Sequence, residues 1–346
     1  MFEIIMHKIF NFKRRQHLNM WIFRYAQKNK LDYKETKEKL KEMQQRYLTN
    51  IQFLLQIDYL VKKREDIVLN MDFYEELFKI NPKEYDDLLN NKLIVYDRCE
   101  DLVKREFVKV EDKEKCFEFI KKHKKFVGKR NYGTGGEKFK IYNAKEEKVD
   151  KIYDQIVKNK NVIIEEYIEQ HDVIKKIYNG SLNTVRIHTV NNGNKVKIFL
   201  KPKMRIGCNG SKIDNHSIYG SAYRLILNED GTVKMASYID SNFRMKKAKK
   251  HHNTNIKFED IKIPYMKEAL ELVKKAAKRF PEVSCIGWDV AITKDGPTIV
   301  EGNITSGAIE NYQLIHYIYN KEGIKKELEE MMNFVASSKG KRIWKK

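Results

Sequence analysis

Near the C-terminal end of the chain, three oxygen-bearing side chains have the types and spacing of a cation site. They lie in the stretch Val283 to Asn303, VSCIGWDVAITKDGPTIVEGN. Two runs rich in Val, Ile and Thr flank Thr293-Lys294-Asp295-Gly296-Pro297, and Asp-Gly is a strong hairpin signal. Side chains alternate faces along a strand, so Glu301 and Asn303 point the same way. Counting back around a short loop places Asp289 roughly opposite Glu301. Two carboxylates and an amide oxygen then converge, a donor set suited to a hard cation such as Mg2+ that completes its shell with water and phosphate oxygens. A surface hairpin whose polar residues face water is the plain alternative, because scattered surface carboxylates are the norm.

Three further stretches carry candidate chemistry. The loop Gly133-Thr134-Gly135-Gly136 lies between two expected strands. That position excludes the strand-to-helix contexts in which a helix N-terminus receives a phosphate. Its backbone N–H groups could still fold over an anion, with Lys129 on the incoming strand reaching an α- or β-phosphate; an ordinary turn is the alternative. Glu165-Glu166-Tyr167-Ile168 closes an apolar strand and could serve as a hinge whose backbone reads a purine edge, or be a solvated strand end. Alternation then puts Thr184, Arg186 and His188 on one face of one strand, and Lys201, Lys203 and Arg205 on one face of the next. Bases so placed on a half-buried sheet call for an anion, and the arginine fork suits carboxylate or phosphoryl oxygens.

The elements that must position these residues follow from periodicity. Residues 1–65 read as a helical extension, with Leu40, Met43, Tyr47, Ile51, Leu54 and Leu55 at three- and four-residue steps. Residues 66–105 continue as helices, one of them starting at Asn81-Pro82, where Asn81 would cap and Pro82 would occupy the first helical position. From residue 106 short strands alternate with helices, which argues for α+β layering. Residues 66–168 are expected to form a smaller part carrying Lys129 and the glycine-rich loop, and residues 169–337 a second part carrying the hairpin. Residues 338–346 are a basic tail.

The chain has 346 residues and a formal net charge of +21, from 69 Lys and Arg against 48 Asp and Glu. Such a charge favours anionic partners, but a diffuse lysine excess supplies no base-reading geometry. Four scattered cysteines fit neither a zinc motif nor a disulfide framework, and point to a reducing cytosol. No apolar run approaches the roughly 20 residues that span a bilayer. The expectation is a cytoplasmic protein whose basic, Phe- and Trp-containing N-terminal helices could lie at the inner face of the membrane.

The order of a lysine with a glycine-rich loop, an EEYI hinge, basic strands and an Asp…Glu-x-Asn hairpin resembles the ATP-grasp superfamily. The phrases LNTVRIHT, PKMRIG, DNHSIYGS and GWDVAITKDGPTIVEGN resemble its sugar-transfer-associated branch, which is connected with capsule and other surface polysaccharides, and this implies a glycosyltransferase as a partner that the N-terminal helices could contact. The resemblance covers residues 90 to 315. It implies two α+β subdomains clasping ATP, with Lys129 on the phosphates and Gly133, Thr134, Gly135 and Gly136 as their lid. Glu165, Glu166, Tyr167 and Ile168 would line the adenine site. Asp289, Glu301 and Asn303 would bind two Mg2+ ions, or Mn2+ in their place, with Glu301 shared. Arg186 and Arg205, with Lys201, would stabilise the transferring phosphoryl group. Asp214, Asn215, Thr305, Ser306 and Gly307 would contact the substrate. Gly128-Lys129-Arg130 departs from the Lys-Pro of many relatives, which affects the path into the lid.

The chemistry so implied is ATP-dependent activation of a carboxylate as an acyl phosphate, followed by attack of an amine to form an amide. The substrates would be a small or sugar-linked carboxylate, such as a uronic acid, and an amine. The alternatives are a sugar or polyol kinase using the same site, and a nucleic-acid-binding module driven by net charge. No motif for specific nucleic-acid recognition is present.

Overall fold

The computed structural model describes residues 32–44, 66, 68, 70–132, 139–144, 147–214, 222–239, 245–304 and 309–338, with Phe23, Ala26 and Gln27. The short strands expected after residue 106 are β1 (Phe107–Lys109), β2 (Lys125–Lys129), β3 (Phe139–Asn143) and β4 (Ile163–Glu166). They form one antiparallel sheet in the order β1-β4-β2-β3. Helices α6 (Lys113–Lys122) and α7 (Val149–Lys158) cover one face, where Phe119, Ile120, Ile152 and Ile156 pack on Phe126, Tyr142 and Ile164. Asp112 caps α6 by accepting from the Lys115 backbone N–H. The other face carries Val127, Lys129, Phe139, Ile141 and Glu165. Lys129 is paired with Phe139, and Val127 with both Ile141 and Glu165.

The second sheet joins β5 (Thr184–Asn191), β6 (Val196–Gly207), β7 (Ala222–Leu227), β8 (Val233–Ile239), β9 (Met245–Lys247), β10 (Cys285–Thr293) and β11 (Gly296–Asn303). Its order is β11-β10-β5-β6-β7-β8-β9, antiparallel throughout. Helix α9 (Met266–Ala277) covers one face, burying Leu270, Val273 and Ala277 with Val185, Ile187, Met204 and Val290, and Ile174 and Ile177 of α8 (Asp172–Ile177) join the same core. On the other face Val190, Phe199 and Cys285 meet α2 (Asn70–Ile80), α10 (Ile309–Asn320) and α11 (Lys325–Ala336). The site residues Arg186, Asp289 and Arg205 occupy the rest of that face.

Ahead of both sheets in sequence lie the short helices α3 (Asp87–Asn90), α4 (Lys92–Arg98) and α5 (Glu100–Val103). Their residues Leu89, Val95, Tyr96, Leu102 and Val103 belong to the core beneath the seven-stranded sheet. The helix start expected at Asn81-Pro82 is a 3-10 turn, Lys83–Tyr85, without a side-chain cap. Asn81 is claimed elsewhere: its Nδ2 donates to the carbonyls of Cys285 (2.6 Å) and Ile304 (2.9 Å), and its Oδ1 accepts from the N–H groups of Ser284 and Cys285. Within the N-terminal 65 residues, α1 (Tyr33–Gln44) is described, and the rest of the periodic run from Tyr47 to Leu55 lies outside the described residues. Among the described residues no helix is long and apolar enough to cross a membrane. All four cysteines are buried and none is joined in a disulfide.

Candidate nucleotide and metal site

The two sheets meet at a cavity of about 600 Å³ whose lining comes from both. The hairpin forms as its turn signal indicates, with Gly296 at φ 112°, in the left-handed region glycine tolerates. Asp289 stands opposite Glu301, and Gly287 opposite Asn303. On its other side Asp289 is paired with Arg186 of β5. Arg186 grips it with two parallel bonds, Nε to Oδ1 at 2.6 Å and a guanidinium nitrogen to Oδ2 at 3.0 Å. Arg205 of β6 adds a contact to Oδ2 at 3.0 Å. Burial works against the Asp289 charge, but Arg186 and Arg205 outweigh it, so its pKa falls well below the usual carboxylate range. Glu301 moves the other way: burial raises its pKa and the negative charge of Asp289 raises it further.

Facing this group from the four-stranded sheet, Lys129 forms an ion pair with Glu165 at 2.7 Å. Glu165 is almost fully buried and also accepts from Arg105 at 2.7 Å and from the Tyr96 hydroxyl. The Tyr96 oxygen in turn accepts from Lys129 (3.0 Å) and Arg105 (2.6 Å). Burial opposes the Glu165 charge, but Arg105 and Lys129 bring its pKa down to about 2. The same pairing raises the pKa of Lys129 against the effect of burial. A fourth carboxylate, Asp214, also lines the cavity. Thr184 donates to Asp214 Oδ2 through its N–H (2.8 Å) and its hydroxyl (2.5 Å), and accepts from Arg205 at 2.5 Å. Arg205 thereby bridges Asp289 and Asp214.

Residues 70–333 match the family described as sugar-transfer associated ATP-grasp. The chain belongs to this family. No curated protein matches it. Solved structures that resemble this ATP-grasp protein include the ATP-grasp ligase PsnB complexed with minimal precursor (12% identity, TM-score 0.43, covering 74% of this chain and 64% of that one). Another is D-alanyl-alanine synthetase A from Vibrio cholerae O1 biovar eltor (12% identity, TM-score 0.42, 72% and 66%). A third is N5-carboxyaminoimidazole synthetase from Staphylococcus aureus complexed with ADP (12% identity, TM-score 0.41, 65% and 48%). The chain spans less than two thirds of the length of each of these proteins.

The family implies ATP together with Mg2+, and the side chains present fit a hard divalent cation. A carboxylate offers about four lone-pair directions, and Asp289 uses three of them on the two arginines. Asn303 donates its Nδ2 to the Gly287 carbonyl, which leaves Oδ1 as an acceptor. Glu301 has a raised pKa because it is buried near a second acid, a cost that a bound cation would relieve.

The cavity brings together Lys129, Glu165, Tyr167, Ile168, Arg186, Arg205, Asp214, Asp289, Glu301 and Asn303. Two sequence-derived candidates are placed elsewhere. Glu166 turns to the opposite side of β4, accepting from the Glu106 N–H (2.7 Å) and lying 3.6 Å from His123. Successive side chains of a strand face opposite ways, so Glu165 and Glu166 cannot share the cavity. Lys201 donates to Asn228 Oδ1 (3.3 Å) and is not among the lining residues. The ladder partners of β5 jump from Lys203 to Phe199, leaving Leu200, Lys201 and Pro202 in a bulge with Leu200 at φ 63°. Pro202 lacks the N–H a regular ladder needs, and the expected Lys201–Lys203–Arg205 alternation breaks there. Gly133, Thr134, Gly135, Gly136, Asn215, Thr305, Ser306 and Gly307 lie outside the described residues.

The structure adds residues the sequence reading passed over. Val127, Phe139 and Ile141 form an apolar wall beside Tyr167 and Ile168. Phe139 and Ile141 are 38% and 44% exposed, which is unusual for large apolar side chains. Their signal was the alternation in FKIYN. Lys92, at the start of α4, also lines the cavity, and its charge acts on Glu301. Arg105 and Tyr96 had no local motif to mark them.

Proposed function

We propose that the chain is an ATP- and Mg2+-dependent carboxylate–amine ligase that forms an amide through an acyl phosphate. We further propose that its carboxylate belongs to a sugar or uronic acid used in capsule or other surface polysaccharide synthesis. The sugar connection is supported by the family description alone. The observation that carries the nucleotide chemistry is the facing of Asp289 and Glu301 with Lys129 across one cavity, with an apolar wall beside them.

In this reading the apolar wall takes the adenine, Lys129 and Lys92 hold phosphate oxygens, and Asp289, Glu301 and Asn303 hold the metal. Two ions are expected, with Glu301 shared. Bound there, Mg2+ neutralises charge on the transferring phosphoryl oxygens. Arg186 keeps Asp289 ionised and aimed. Arg205, spanning Asp289 and Asp214, lies where it can meet the carboxylate that attacks the γ-phosphorus as ADP departs. The amine then attacks the acyl carbon, its C–N bond forming as the bond to phosphate breaks. No protein nucleophile is needed. Of the hydroxyls in the lining, Ser181 already donates to Asn183 and Thr184 to Asp214.

Product analysis tests the reading. Purified protein is incubated with MgATP, a panel of uronic acids and hydroxylamine as the trapping amine. A hydroxamate formed in step with ADP and free phosphate supports the ligase. Phosphate retained on a sugar hydroxyl would replace it with a kinase.

A further inference from the structure

Glu165 lies in the stretch first assigned to the adenine site, yet its carboxylate makes contacts of another kind. It is 1% exposed and touches Lys129, Arg105 and Tyr96. Arg105, on the segment between α5 and β1, is the unexpected member. One of its guanidinium nitrogens donates to Glu165 and Tyr96, while the other donates to the Ile299 carbonyl (2.7 Å) and Thr298 Oγ1 (3.0 Å) of β11. A single side chain therefore ties the counter-ion of Lys129 to the hairpin that carries Glu301.

We propose that Arg105 is a positioning residue that competes with Lys129 for the Glu165 carboxylate and so leaves the lysine available to the phosphates of a bound nucleotide. This rests on the reading of Lys129 as the phosphate lysine. The physical basis is that a buried carboxylate concentrates its attraction on whatever cation remains. With two cations on Glu165, neither is held fully. With Arg105 removed, Lys129 alone must balance a buried negative charge and is withheld from phosphate. The Arg105 fork suits the task, because it can hold a carboxylate and a backbone carbonyl together where a lysine cannot.

The test compares the affinities of ATP and adenosine, measured by calorimetry and ligand-observed NMR, in wild type and four variants. The dissociation constant of adenosine divided by that of ATP isolates the phosphate-dependent part. Arg105→Gln should lower the ratio about tenfold, on the scale of a charge-assisted hydrogen bond, and leave adenosine binding unchanged. Glu165→Gln should not lower it, and the double variant should return to the Glu165→Gln level. An adenine- or ribose-reading Glu165 would instead weaken adenosine binding in Glu165→Gln. Should Arg105→Gln fail to fold, the double variant, which leaves no unbalanced carboxylate, and Glu165→Gln still decide the matter. Lys129→Met separates the two ideas. If it leaves the ratio unchanged, or if wild type binds no ATP, Lys129 is not the phosphate lysine and both fail. If Lys129→Met collapses the ratio while Arg105→Gln does not change it, the proposal alone is overturned.

Discussion

Asp289 and Glu301 stand directly opposite one another on β10 and β11, yet their carboxyl groups titrate in opposite directions. The difference comes from the third strand. Asp289 has Arg186 as its partner on β5, whereas β11 is the sheet edge and offers Glu301 no cation in register. The pair is thus built with one ionised acid and one that burial and its neighbour push toward protonation.

A bound divalent cation should settle that imbalance. Calorimetry is expected to show ATP binding that requires Mg2+, and Glu301→Ala should weaken it at least tenfold, the cost of one good metal-bridged contact. Glu301→Gln removes the like-charge repulsion, so its thermal midpoint without metal should equal or exceed that of wild type. The increase produced by MgATP should be lost. ATP binding that ignores both Mg2+ and Glu301 would remove the metal assignment.

Much of this arrangement was legible because it is local. The register of Asp289 with Glu301 follows from a hairpin whose turn is spelled by Asp295-Gly296, and alternation alone puts Asn303 beside Glu301. The same rule, carried too far, placed Lys201 with Lys203. A bulge around Pro202 intervenes, and proline inside a strand run was its available signal. Glu165 and Glu166 were grouped as one hinge although period-two alternation already separates them. Arg105 and Tyr96 were out of reach for another reason. They meet Glu165 from 60 and 69 residues away, and nothing in their own neighbourhoods records that contact.

Asn81 is a second long-range case, with a consequence for stability. Its amide satisfies two N–H groups and two carbonyls at the ends of the β10–β11 hairpin, more than 200 residues away. Asn81→Ala would leave those buried groups without partners. The expected loss is about 3 kcal/mol of unfolding free energy, read as a lower midpoint in urea denaturation. Asn81→Asp should also destabilise, since a carboxylate cannot donate to the Cys285 and Ile304 carbonyls. An unchanged midpoint in both would show that water replaces the amide.

The apolar wall predicts a substitution with the opposite profile. Phe139 and Ile141 are partly exposed in β3, so truncating them removes little core packing. If the purine packs there, Phe139→Ala should raise the dissociation constant for ATP and for adenosine alike, by about fivefold for partial loss of an apolar contact. The thermal midpoint should be nearly unaffected. An effect on ATP without an equal effect on adenosine would move the base to another part of the cavity.

Glu165 makes the fold sensitive to acid in a defined window. Its pKa falls from an ordinary 4.5 to about 2, because Arg105 and Lys129 overcome the effect of burial. A carboxylate with a depressed pKa contributes stability that is complete above its unfolded value and is lost as pH falls through its folded one. The contribution is therefore intact near neutrality and disappears between pH 4.5 and about 2, amounting to about 3 kcal/mol at the shift given. Asp289, with a pKa lowered by Arg186 and Arg205, adds to the loss in the same direction. Urea unfolding followed from pH 7 downward should show stability declining below pH 4.5 in wild type. Glu165→Gln should be less stable at neutrality, because Arg105 and Lys129 lose their anion, but its decline with acid should be shallower. Parallel curves for the two proteins would mean that Glu165 is not held ionised by its neighbours, and would remove the charge competition on which the role of Arg105 depends.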